Sequence, residues 1–192
     1  MADKQEVLTF WLDEVGPDRW YKSDPALDAE IRERFEPTWQ AAAEGRRNHW
    51  RCDAGGMLAF LIVTDQFPRN MFRGEARAFE TDDIAHAAAL KAIKRDLDLD
   101  LPERQRQFVY MPLMHSESLA DQDHCVRLIL ARMPDEGANN LLHARVHREI
   151  IRRFGRFPYR NAALGRPSTP QEEAFLENEG YGAILNELKQ PA

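Results

Sequence analysis

With 192 residues, 43% hydrophobic and 30% charged side chains, the chain can bury a sizeable core, which excludes a disordered segment. A net charge of −6 gives no general pull toward nucleic acid or anionic lipid, so neither is expected as a partner. The longest apolar run, Met57 to Val63, falls far short of the roughly 20 residues of a membrane span.

The polar start Met1-Ala2-Asp3-Lys4-Gln5-Glu6 is unlike a signal or transit peptide, so a cytoplasmic protein is expected. Cys52 and Cys125 read as reduced thiols there. Val7, Leu8, Trp11, Leu12 and Val15 form the first helical stripe, which Gly16-Pro17 ends. Asp24 before Pro25 is an N-cap with a first-turn proline, opening a helix that carries Leu27, Ile31, Phe35 and Trp39 toward Gly45. Pro37 is expected to kink or split it.

A third helix is predicted from Asp53 to Phe67, broken by Pro68. Thr81 caps a fourth, running through Ile84, Ala88 and Ala92 to about Asp96. Pro102 opens a fifth that Pro112 interrupts. A sixth follows Ser118 and carries Cys125, Ile129 and Met133 toward Pro134. The seventh spans about Glu136 to Phe154, with Leu142, Val146, Ile150 and Phe154 on one face and Gly155 closing it. Thr169, Pro170 and Glu172 combine an N-cap, a first-turn proline and a capping box. Strand signals are nearly absent. The expected fold is all-α, an array of about seven to eight packed helices in a single domain over 1–192.

Two segments echo one another: Phe67-Pro68-Arg69-Asn70 and Phe157-Pro158-Tyr159-Arg160-Asn161. Each follows a long helix and presents Arg-Asn after a proline. With Phe10-Trp11, Asp65-Gln66, His115-Ser116-Glu117, Leu164-Gly165-Arg166 and Ser168-Thr169-Pro170-Gln171-Glu172, they resemble an uncharacterised bacterial family, domain of unknown function 924. The resemblance covers nearly the whole chain. It implies a tetratricopeptide-like helical superhelix and brings no established activity. Tyr159 departs from it, standing where the family often has histidine.

Three sets of residues are candidates for chemistry. His115 and Glu117, two apart in a turn, are the one acid–base pair that stands out, with helix capping as the alternative role. Arg69, Asn70, Arg160 and Asn161 offer guanidinium forks and amides suited to a carboxylate or phosphate, with loop anchoring as the alternative. His143 and His147 share a helix face at the spacing of a zinc helix, but Ala144 stands where a metalloprotease has glutamate, so no metal site is assigned. No cofactor motif appears. A small anionic ligand in a pocket of Arg69, Asn70, His115, Glu117, Arg160 and Asn161 is the first expectation. A protein- or peptide-binding module and a metal-dependent hydrolase or lyase using His143 and His147 are the alternatives.

Overall fold

The computed structural model describes residues 1–189, and among these it holds helices and turns and no strand. The chain falls into two compact units, the first Met1–Pro112 and the second beginning at Leu113.

In the first unit, α1 is α-helical over Lys4–Leu8 and continues as a wider π-helical segment over Thr9–Val15. Asp3 caps it, accepting from the Gln5 and Glu6 amides while Glu6 accepts from the Asp3 amide. Helix α2 (Pro25–Ala43) begins at the Asp24 cap and runs unbroken through Pro37, so the expected split does not occur. Proline removes one hydrogen bond there, while the buried stripe Leu27, Ile31, Phe35 and Trp39 holds both halves to the same core.

Helix α3 runs past Pro68, where the sequence predicts a break. It comprises Ala54–Leu61, a π-helical turn Ile62–Gln66 and Phe67–Met71. The Phe67 amide reaches back five residues to the Ile62 carbonyl. This widened turn places Pro68 in the first turn of the following segment, where a proline needs no N–H. Pro112 likewise sits inside α5 (Glu103–Met114) without ending it.

Thr81 precedes α4 (Asp82–Lys94) but its side chain does not cap the helix. Its hydroxyl donates to the Thr64 carbonyl at 2.6 Å and accepts from the Trp39 indole at 3.0 Å. At the centre of this unit Phe35 packs against Phe10 and Phe67, at centroid separations of 4.9 and 4.8 Å.

The second unit contains α6 (Leu119–Arg132), α7 (Ala138–Phe154), α8 (Pro170–Ala174, continuing as a π-helical turn Phe175–Glu179) and α9 (Gly180–Lys189). Val146, Ile150 and Ile151 of α7 pack with Phe157, Phe175 and Ile184 as its core. Gly155, at φ 68°, adopts the left-handed conformation that ends α7. The capping box at Thr169 and Glu172 is present as expected.

The two echoing segments take different local structures. Phe67–Met71 is helical, whereas Pro158–Arg160 forms a 3-10 turn after the reversal at Gly155. No helix among the described residues is long and apolar enough to cross a membrane.

Neither Cys52 nor Cys125 is joined in a disulfide. Cys52 is exposed, whereas Cys125 is fully buried in α6 and burial pushes its thiol up to about 12. We expect a thiol reagent to label Cys52 quickly in the native protein and Cys125 only after denaturation. Two equally fast labels would contradict this placement.

Candidate functional site

In the first unit, Arg69 and Asn70 lie on the last turn of α3, and both are used to join helices. Arg69 donates to the Asp65 carbonyl at 2.7 Å and pairs with the Asp65 and Asp82 carboxylates at 3.2 and 2.9 Å. Asp65 is 1% exposed and also accepts from the Gln66 amide. Asn70 donates to Asp28 of α2 at 2.8 Å, and Arg73 closes on the same carboxylate. This network ties α3 to α2 and α4, a charge-assisted arrangement suited to fixing packing.

In the second unit, His115 to Ser118 form the turn between α5 and α6. The Gln122 side-chain amide donates to the carbonyls of Leu113, Met114 and Ser116. Arg160 donates to the His115 carbonyl at 3.0 Å, so the turn is held from two sides.

Glu117 is an anchor in this arrangement. Its carboxylate accepts both arms of Arg166, at 2.7 and 3.0 Å, and the Phe157 amide at 2.9 Å. Burial acts to raise its pKa, but the bonds from Arg166 and Phe157 and the charge of Arg160 prevail and hold it below the ordinary carboxylate range. Such a carboxylate is a weaker base than an ordinary one, and most of its lone pairs are engaged in holding the loop.

Asn161 is similarly engaged. It donates to Ser168 at 3.1 Å and accepts from Arg166 at 3.0 Å, which folds the 157–168 loop on itself. Arg160, expected to face a ligand, is 7% exposed, and its guanidinium lies 4.4 Å from the centroid of Phe157. Arg156 forms a double bridge to Glu172, at 2.6 and 2.7 Å, joining α7's end to α8.

The structure draws attention to the two α7 histidines. His147 donates through Nδ1 to the His143 carbonyl at 2.9 Å, which fixes the tautomer and leaves Nε2 as an acceptor. Nε2 has no hydrogen-bond partner among the described residues. The ring sits edge-on to Phe157 and Tyr181, at 5.5 and 5.3 Å, with His115 at 6.3 Å. Burial first, and then the electrostatic influence of His115, Arg160 and His143, lower its pKa to about 3 against the carbonyl's opposing pull, so it is neutral at physiological pH.

His143 meets the Tyr181 hydroxyl through Nδ1 at 2.5 Å, and the two rings stack. Burial and then Lys189 lower the His143 pKa, while burial and then Tyr159 raise that of Tyr181. The result is a cluster of neutral rings carrying polar atoms, set beside a guanidinium.

Tyr181 was not legible as a partner, because it stands 38 residues from His143 on a helix that closes over α7 only in the fold. Among the described residues no group of three or more His, Cys, Asp or Glu side chains is placed to hold a metal ion. A metal-dependent reading would have two imidazoles to build on, each already bonded through Nδ1.

A family model described as "Bacterial protein of unknown function (DUF924)" matches residues 7–180. A solved structure of a protein of unknown function, ATU0120 from Agrobacterium tumefaciens, is 39% identical with a TM-score of 0.85. The match covers 91% of this chain and 96% of that one. No curated protein matches.

Proposed function

Taking as premise that this chain belongs to the bacterial family of unknown function DUF924, we propose that its second unit binds a small anionic molecule beside His147. The observation that carries this reading is the His147 Nε2 acceptor, unpartnered among the described residues and set between Phe157, Tyr181 and His115. An acceptor left open on a half-buried ring can take an O–H or N–H from a ligand. The Arg160 guanidinium, whose field reaches His147, favours negative charge elsewhere on that ligand.

In this proposal Arg160 supplies field and holds the His115 turn, and Glu117, Arg166 and Asn161 shape the loop. Arg69 and Asn70 serve α3. The site offers binding and a fixed hydrogen-bond acceptor, and no proton transfer is assigned to it. A protein- or peptide-binding role, which a tetratricopeptide-like arrangement would suit, is the alternative. Exposed Leu164 and Leu176 would then carry the contact.

The test is thermal denaturation with a panel of hydroxycarboxylates, simple carboxylates and phosphate, for the wild type and His147→Phe. Phenylalanine keeps ring packing and deletes the acceptor. A binding member of the panel should stabilise the wild type by mass action, about 2.7 kcal/mol at one hundred times its dissociation constant. The gain should be absent in His147→Phe. A panel without effect on the wild type, or an equal effect on both proteins, would remove the proposal.

A further inference from the structure

Arginines in the first unit are usually answered by an acceptor. Arg69 pairs with Asp65 and Asp82, Arg73 with Asp28, and Arg77 with Glu36. The 3-10 turn Asn48–Cys52 and the residue before it break that pattern. Arg47 and Arg51 are half-buried, and neither has a hydrogen-bond or ion-pair partner among the described residues. The Nε–H of each is buried with no acceptor.

Their guanidiniums rest on aromatic rings, Arg47 at 5.3 Å from the Trp50 centroid and Arg51 at 5.2 Å from that of Phe60. Arg95, just past α4, brings a third guanidinium to the same turn. It donates to the Arg51 and Cys52 carbonyls, both at 3.1 Å. Carboxylates flanking the turn are already engaged: Glu44 pairs with Arg46, and Asp53 pairs with Lys4 and accepts from the Gly56 amide. Exposed Lys91 and Lys94 on the last turn of α4 add charge of the same sign.

The platform under these groups is tightly seated. A Cβ at Gly56 would come within 2.1 Å of the Trp50 carbonyl, so only glycine lets the turn approach the start of α3 this closely.

We propose that Arg47, Arg51 and Arg95 form an oxyanion site for a phosphate-bearing small ligand. A buried donor without an acceptor costs free energy that an incoming oxyanion restores. A ring satisfies a guanidinium's charge without taking up its N–H groups, which remain for an oxyanion, and arginine forks suit phosphate. Three cationic forks with no carboxylate partner suit a multiply charged phosphate better than a monocarboxylate. This site is independent of the one at His147, which lies in the other unit.

The experiment measures pyrophosphate binding by calorimetry and thermal shift at constant ionic strength, with acetate as the monocarboxylate comparison. Wild type should bind pyrophosphate and melt higher in its presence, while acetate has little effect. Arg47→Gln and Arg51→Gln should each weaken binding about tenfold or more, the loss of one charge-assisted fork. Arg46→Gln, which removes an exposed arginine already paired with Glu44, should bind as wild type does. If Arg51→Gln does not fold, Arg51→Lys keeps the charge but lacks the fork and should show partial weakening. Absence of pyrophosphate binding by the wild type would overturn the proposal, as would undiminished binding by Arg47→Gln and the Arg51 variant.

Discussion

Stability should fall as the pH drops below about 6.5, with His147 carrying most of the early loss. In the folded chain this imidazole is neutral, its pKa lowered by burial and neighbouring positive charge to about 3, whereas its ordinary value is 6.5. Between those values the unfolded chain takes up a proton that the folded one refuses. The contribution is therefore fully present above 6.5 and is lost on acidification by up to about 1.4 kcal/mol per pH unit. His143 is shifted in the same direction.

Carboxylates enter later. Glu149, held by Arg152 and Arg153, and Glu172, held by Arg156, are lowered from 4.5 to about 2, so their stabilisation persists until the pH falls below 4.5. The window from pH 6.5 to about 4.5 thus belongs to the buried histidines. Chemical denaturation of the wild type should lose about 2 kcal/mol between pH 6.5 and 5, and His147→Phe should lose much less. A flat wild-type profile, or a variant with the wild-type slope, would show that this imidazole is not held neutral by the fold.

The helical architecture was legible because it follows from side-chain period and end chemistry. Asp24-Pro25 and Thr169-Pro170-Glu172 mark helix starts through local hydrogen bonds, and the structure makes those bonds. The reading failed where a backbone adjustment absorbed a proline. At Pro68 the π-helical turn Ile62–Gln66 changes the hydrogen-bond register, and nothing in residue type announces that.

The polar residues were legible as special, but their partners were not. Glu117 and Arg166 are 49 residues apart, and Arg160 and the His115 carbonyl 45. Such pairings are decided by how α7 turns back at Gly155, so a sequence with the right residue types leaves anchor and ligand roles open. Arg47 and Arg51 escaped notice for the opposite reason. An arginine near a tryptophan is unremarkable until the fold shows that no acceptor accompanies it.

Arg160→Ala should be one of the most destabilising single substitutions in the second unit. A guanidinium facing open solvent would be expendable, but Arg160 is 7% exposed, lies over Phe157 at 4.4 Å and holds the His115 carbonyl at 3.0 Å. Its removal deletes a charge-assisted hydrogen bond, leaves that carbonyl without this donor and opens a gap on the Phe157 ring. The combined loss is about 3 kcal/mol, which lowers the melting temperature by roughly 6–12 °C in a protein of this size. Arg160→Lys keeps the charge but loses the planar stack, so it should recover only part of that loss. Both variants should also weaken anion stabilisation at His147, alanine more than lysine, since the field weakens and the His115 turn loosens together. A melting temperature unchanged in Arg160→Ala would mean that this guanidinium does not hold the turn, and the arrangement of the whole His115–His147 cluster would need to be redrawn.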